Sequence, residues 1–113
     1  MNILSSLFSS KKGKATSLYK RGLKKAKTRD LEGAVADYTA VIEMEGAPGD
    51  IKIVSQFNRG LAYSTDRRFD EARADLEAVL ANPLTPADVK DATRQKLKRM
   101  ERRISGSGGE DDS

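Results

Sequence analysis

The sequence contains no cysteine, no histidine and no tryptophan. Without cysteine the chain forms no disulfide and offers no thiolate to a metal. Without histidine the common nucleophilic triads and most zinc sites are excluded. Chemistry based on carboxylates or lysine stays open in principle. We therefore expect a protein that is not an enzyme and that binds no cofactor, metal or small-molecule substrate.

Long apolar runs are missing as well. No segment approaches the roughly 20 apolar residues that a membrane span needs. In the N-terminal segment, residues 1–13, the positive charges follow the few large apolar side chains, which is the reverse of a signal peptide. We expect a cytoplasmic protein in which residues 1–13 are either flexible or an amphipathic segment docked on the rest of the chain.

Charge is distributed unevenly around a net value of +4. Residues 1–29 contain nine Lys or Arg and no acid, and residues 30–88 contain 12 acids and five bases. Residues 89–104 contain seven bases and two acids. Basic ends of this kind attract acidic proteins, nucleic acid or anionic lipid, although a charged run is more often a solvated helix face.

Apolar residues recur at helical spacing in five segments and at no strand spacing. The pattern predicts helices over about 13–28, 31–45, 51–64, 69–81 and 86–104. Asp30, Asp50 and Thr85 are predicted to cap the helices that follow them, and Gly46 is predicted to end the second helix. The result is one all-α domain over residues 14–104.

The apolar residues of the third helix are Val54, Phe57, Leu61 and Tyr63, and those of the fifth are Val89, Ala92, Leu97, Met100 and Ile104. Residues 105–113 are rich in Gly and Ser and then acidic, and we predict that they form a disordered tail.

The first two helices and the next two repeat each other. Tyr19–Ile42 and Phe57–Leu80 align without a gap, and they share more identities than the roughly one or two that ordinary composition gives. The identical pairs include Arg21/Arg59, Gly22/Gly60, Leu23/Leu61, Ala34/Ala72, Ala36/Ala74, Asp37/Asp75, Ala40/Ala78 and Val41/Val79. Because the two acids are equivalent across the repeat, we interpret them as features of the fold and not as a catalytic pair.

The glycines of this repeat predict close helix packing. A glycine inside a helix is less favourable than alanine by roughly 1 kcal/mol. Gly22 and Gly60 therefore indicate that a neighbouring helix approaches them closely, with Ala34 and Ala72 as the small residues on that helix.

A family resemblance rests on Leu18, Gly22, Ala34 and Tyr38 in the first copy and on Gly60, Tyr63, Ala72, Leu76 and Pro83 in the second. At these positions the chain resembles the tetratricopeptide repeat family. It departs from the family at Arg21, Lys25, Gln56 and Arg59, and its copies are 38 residues apart where the family has 34.

The resemblance implies antiparallel helix-turn-helix pairs stacked as a short right-handed superhelix, an α-solenoid. Repeat 1 would cover about 15–46 and repeat 2 about 51–83, with a capping helix over about 86–104. It also implies a concave groove that binds a peptide or a partner helix.

The groove positions implied by the family are Tyr19, Lys20, Leu23 and Lys27 in repeat 1 and Val54, Phe57, Asn58 and Leu61 in repeat 2. They predict an apolar and aromatic floor with a basic edge, and hence an acidic protein or peptide partner in a scaffold or adaptor role. The alternatives are that Tyr19 and Phe57 simply pack against neighbouring helices and that the lysines form a solvated face.

Three further interactions stay open. The basic first and last helices favour nucleic-acid binding, although three Tyr and three Phe leave little for base stacking. Residues 1–14 combine apolar side chains with lysines, which favours weak membrane contact. Two repeats form a thin stack, so a homodimer or docking of the N-terminal segment is a further hypothesis.

Overall fold

The computed structural model describes residues 10–110, with side chains described for residues 10–106. Over this range the chain forms five α-helices and no strand, which confirms the predicted all-α class. The helices are α1 (Lys11–Lys27), α2 (Leu31–Glu43), α3 (Gly49–Thr65), α4 (Phe69–Ala81) and α5 (Ala87–Glu110). None of the described helices is long and apolar enough to cross a membrane.

Each helix packs against the next along the chain, and α1 also contacts α3. The helices follow the spacing of the sequence repeat. α1, α3 and α5 begin at Lys11, Gly49 and Ala87, in steps of 38 residues, and α2 and α4 begin 38 residues apart at Leu31 and Phe69. The start of α5 therefore falls where the first helix of a third copy would start.

The same ion pair joins the two helices of each copy. Asp37 accepts two hydrogen bonds from Arg21, from Nε at 2.9 Å and from Nη2 at 2.7 Å. Asp75 accepts two from Arg59, from Nε at 2.8 Å and from Nη2 at 2.7 Å. Both carboxylates are buried, with 3% and 4% of their residue surface exposed. Arg21 lowers the pKa of Asp37 despite its burial, so this acid stays charged as its partner requires.

The predicted close approach at the glycines is present. A Cβ on Gly22 would lie 2.6 Å from Cε1 of Tyr38, and a Cβ on Gly60 would lie 3.0 Å from Cδ2 of Leu76. Tyr38 and Leu76 occupy the same position of the repeat and are fully buried. The glycines thus make room for a large side chain of the paired helix, and not for a small residue as the sequence suggested.

One face of α1 and of α3 packs against the helix that follows. Gly60 faces Leu76 on α4, and its equivalent Gly22 faces Tyr38 on α2. The third equivalent residue, Lys98 on α5, is exposed. The difference arises because no helix follows α5 in the described part of the chain.

A second face is buried on α3 and α5 but exposed on α1. The equivalent positions on this face are Ser17, Ser55 and Thr93, together with Lys24, Ala62 and Met100. The first member of each set is exposed and the other two are buried. Since α3 and α5 have a helix before them and α1 has none within residues 10–110, this face is the one that packs against the preceding helix.

The first and third helices end in the same turn. Arg29 and Arg67 both adopt left-handed backbone conformations, with φ of 69° and 60°. The amide of the residue after each arginine donates to the carbonyl five residues before it, at 2.9 Å after Arg29 and 2.8 Å after Arg67. This is the long hydrogen bond of a Schellman turn, in which the left-handed residue is usually glycine.

One of the predicted helix signals is confirmed. The Asp30 side chain accepts a hydrogen bond from the amide of Gly33 at 3.0 Å and caps α2. Gly46 has the left-handed backbone expected of a helix-ending glycine, with φ of 81°, but α2 ends earlier, at Glu43 with Met44 as its C-cap.

Two predicted caps are wrong. α3 begins at Gly49 after Pro48, whose φ of −57° suits that position, so Asp50 lies inside the first turn and accepts from the amide of Ile51. Thr85 does not cap α5, because its hydroxyl donates to the carbonyl of Val79 at 2.7 Å and ties the end of α4 to the loop.

Burial within α3 and α5 differs from the apolar pattern. In α3 the four residues named above as its apolar residues are half-buried, and the buried residues are Ile53, Ser55, Gly60, Ala62 and Ser64. In α5, Ala92 is exposed and its neighbour Thr93 is fully buried. Apart from Ile53, the buried residues of α3 are small or carry a hydroxyl, because α3 packs closely against a helix on two sides.

Both ends of the helical domain extend beyond their predicted boundaries. Residues 11–13, assigned to the N-terminal segment, form the first turn of α1, where Ser10 Oγ accepts from the amide of Gly13 at 3.0 Å. α5 continues to Glu110, so the tail predicted to be disordered over 105–113 begins with helical residues, because no proline interrupts the backbone there. Predictions about residues 1–9 and 111–113 lie outside the described residues.

Candidate functional site

The structure brings four of the eight predicted groove residues to one cavity between α1 and α3. The cavity has a volume of about 270 Å³. Its lining residues are Leu23, Ala26, Lys27, Arg29, Leu31, Tyr38, Asn58, Leu61, Ala62 and Thr65. We call this cavity and its edge the α1–α3 groove. Its walls come from the end of α1, the turn after it, Leu31 and Tyr38 of α2 and the second half of α3.

The floor of the groove is apolar because the repeat packs helices closely there. Tyr38 packs against Gly22, is almost fully buried and contributes to the cavity lining. Leu23 and Leu61, an identical pair of the repeat, are half-buried and face the cavity from α1 and α3. These side chains give the groove space for a large apolar group.

Asn58 links α3 to α1 at this groove. Its Nδ2 donates to the Tyr19 hydroxyl oxygen at 3.2 Å and to the carbonyl oxygen of Val54 at 2.8 Å. An amide nitrogen carries two protons, so both are used. The amide oxygen of Asn58 and the hydroxyl proton of Tyr19 have no partner among the described residues. One acceptor and one donor are therefore left at the junction of the two helices.

Tyr19 keeps its proton at neutral pH. Burial raises the pKa of Tyr19 above its ordinary value of 10.0, and the hydrogen bond from Asn58 opposes this only in part. Burial also raises the pKa of Tyr38 to about 12, with Tyr19 and Asp37 adding to the effect. Both phenols are thus neutral hydrogen-bonding groups and not acids or bases near pH 7.

Core packing, the alternative reading of Tyr19, is also present. The ring packs against the buried cluster of Ala15, Val41 and Ala47. It lies 6.1 Å from the Tyr38 ring, centroid to centroid, at an interplanar angle of 45°. Packing fixes the ring, so the position of its hydroxyl beside Asn58 is also fixed.

The edge of the groove is basic. Lys27 and Arg29 are exposed, line the cavity and form no ion pair with any described residue. Lys25, two residues before Lys27, differs because its Nζ lies 3.1 Å from Asp37 Oδ2. No acidic side chain lines the cavity among the described residues. The edge is therefore free to attract an acidic group.

The remaining predicted residues lie outside the cavity lining. Lys20 is exposed on α1, and Val54 and Phe57 are half-buried on α3. Val54 contributes through its carbonyl oxygen, which accepts from Asn58. Tyr19 is joined to the lining residue Asn58 through its hydroxyl oxygen.

Among the lining residues that the sequence did not predict as groove residues, Arg29 is the charged one. A signal was present, since Arg29 and Arg67 are also identical in the repeat alignment. Glycine is the usual residue at the left-handed position of such a turn, and both copies have an arginine there instead.

Comparisons with family models, curated proteins and solved structures find no match to this chain. Among the described residues no group of three or more acidic side chains is arranged to hold a metal ion.

Proposed function

We propose that this protein is a non-catalytic interaction module that binds a segment of an acidic partner protein in the α1–α3 groove. The observation that carries the proposal is the pair of unused hydrogen-bonding groups on Tyr19 and Asn58. They lie beside an apolar cavity whose edge is formed by the unpaired cations Lys27 and Arg29.

Each part of the groove suits a different part of a bound peptide. A large apolar side chain enters between Leu23 and Leu61. The unused donor of Tyr19 and acceptor of Asn58 match the carbonyl and amide of a peptide backbone. An aspartate or glutamate beside the apolar residue forms charge-assisted hydrogen bonds with Lys27 and Arg29.

The fold supports a stacked-repeat architecture for the module. The helix starts in steps of 38 residues, the two equivalent Arg–Asp pairs and the equivalent Schellman turns all support two copies of one unit. We propose that these units form a short α-solenoid of the tetratricopeptide type, with α5 closing its end. In this proposal the protein is a cytoplasmic scaffold or adaptor, and a homodimer remains a separate hypothesis.

Peptide selection tests the groove directly. Random 12-residue peptides displayed on phage are selected against the full chain, and the affinity of one selected peptide is measured by fluorescence anisotropy. We expect the selected peptides to combine a large apolar residue with a neighbouring Asp or Glu. Their affinity should fall roughly tenfold in a Lys27→Gln, Arg29→Gln variant, equivalent to about 1.4 kcal/mol.

The matched control is Lys12→Gln, Lys14→Gln, which removes two exposed lysines of α1 away from the groove. It should bind like the wild type. A Leu61→Ala variant should also lose affinity, with helicity checked by circular dichroism. Selected peptides without acids, or peptides that bind both charge variants equally, would contradict the proposed groove.

A further inference from the structure

The last helix presents an exposed basic face away from the groove. Lys98, Arg99 and Arg102 border a depression of about 410 Å³ together with Gln95. All four side chains are exposed. We call Lys98, Arg99 and Arg102 the α5 basic face.

Within residues 10–106, the acids of α5 do not neutralise this face. Asp91 pairs with Arg94, whose Nη1 lies 3.2 Å from its Oδ1, and this pair lies before Lys98 on the same helix. Glu101 is engaged by Arg73 of α4 at 2.6 Å. No acidic side chain within residues 10–106 lies within ion-pair distance of Lys98, Arg99 or Arg102.

Further cations next to the face increase its positive potential. Lys96 is half-buried, and its pKa is lowered by burial and then by repulsion from Arg103 and Arg99. Like charges three or four residues apart destabilise a helix. A bound polyanion would remove this repulsion.

A role in closing the end of the helix stack does not explain why the charges of the α5 basic face are all positive. Lys98 occupies the position where Gly22 and Gly60 meet a following helix, so a polar residue there keeps the end of the stack soluble. A mixture of acids and bases would serve that purpose equally well. The charged side chains around this depression are all basic.

The face lacks the features of a protein-binding surface. Leu84, 72% exposed, is the one exposed large apolar residue of the described part, and it lies before α5. Interface energy between proteins is concentrated in buried aromatic and apolar anchors, and exposed ion pairs contribute only about 0–1 kcal/mol each. A nucleic acid, in contrast, is bound by cations alone through release of its counterions.

We propose that Lys98, Arg99 and Arg102 bind the phosphate backbone of a nucleic-acid duplex without reading its bases. Residues 87–110 contain no aromatic side chain, so stacking on unpaired bases has no platform on this helix. This surface is separate from the α1–α3 groove and does not depend on the function proposed for it.

Salt dependence tests the proposal. The full chain is titrated into fluorescein-labelled 20-base-pair DNA duplexes of two unrelated sequences between 50 and 200 mM KCl. Three neutralised phosphates give a slope of about −2.7 for log K against log salt, a loss of about 40-fold over this range. Both sequences should bind alike. Each single substitution of Lys98, Arg99 or Arg102 to Gln should reduce the magnitude of the slope by about 0.9. The variant with all three substitutions should show no salt dependence.

The matched control is Lys12→Gln, Lys14→Gln, Lys24→Gln, which removes the same charge from exposed positions of α1. It should keep the slope, and so should Asn58→Ala in the groove. If the α5 and α1 triple variants lost the same part of the salt slope, net charge alone would explain the binding, and the proposal would be overturned. Binding to poly-glutamate or to phosphatidylserine vesicles, but not to duplexes, would also overturn it.

Discussion

Asp37 and Asp75 are buried carboxylates whose charge is matched by one arginine each, but their surroundings differ. Arg59 is 18% exposed at its side chain and also donates to the Thr39 hydroxyl at 3.1 Å, across the two copies. Arg21 is 58% exposed, and Asp37 has Lys25 as a second cation. The second copy therefore depends more on its arginine than the first.

This asymmetry predicts unequal effects of the same substitution. Arg59→Ala leaves Asp75 buried without its main partner and should lower the free energy of unfolding by about 3 kcal/mol. Arg21→Ala should cost less, because Lys25 stays near Asp37. Urea unfolding followed by circular dichroism measures both. Arg94→Ala, which removes an exposed pair, is the control, and equal losses at Arg21 and Arg59 would contradict the argument.

At the scale of the helices, periodicity found all five elements but misread which residues α3 buries. α3 packs against a helix on two sides, and the residues that permit this are Ser55, Gly60, Ala62 and Ser64. Hydrophobicity does not reveal such residues, because small size and not apolar character is what the packing requires. Similarly, α3 begins at Gly49, one residue before Asp50, because Pro48 occupies the N-cap position. Proline has no polar side chain, so a search for capping side chains does not find it.

The Schellman turns lead to a prediction at this scale. A left-handed conformation is unfavourable by roughly 1–2 kcal/mol for a residue with a Cβ. Arg29→Gly should therefore stabilise the fold by up to about 1 kcal/mol while weakening peptide binding. Arg67→Gly should gain less, because the Arg67 guanidinium lies 5.3 Å from the centroid of Phe69 and that contact is lost. Urea unfolding compares the two, and destabilisation by Arg29→Gly would refute the assignment of strain.

For the whole molecule, the repeat and the resemblance together predicted more of the site than the apolar pattern did. Leu23, Lys27, Asn58 and Leu61 meet at one cavity because equivalent helices lie side by side. Phe57 does not line the cavity. α3 packs against two helices, and this packing determines which of its residues face the groove. The hydrogen bond between Tyr19 and Asn58 joins residues 39 positions apart, and no spacing within one copy could indicate it.

The packing of α5 against α4 predicts that α5 unfolds together with the other helices. Met100 is fully buried on the face of α5 that packs against the preceding helix. Met100→Ala should lower the free energy of unfolding by about 2–4 kcal/mol, through lost burial and a cavity. Leu84→Ala, at an exposed position, should change it by less than about 0.5 kcal/mol. A small effect of Met100→Ala in urea unfolding would mean that α5 is not part of the cooperative unit.

The 38-residue step also bears on how such a chain is lengthened. A tandem duplication of residues 49–86 would insert another helix pair in phase, since α5 starts where a further copy of α3 would start. At the equivalent positions of α5, Lys98 and Arg102 take the places held by Gly60 and Ser64 one step earlier. A helix placed after α5 would meet these long charged side chains where α4 meets Gly60, so a copy added after α5 would also need small residues at both positions.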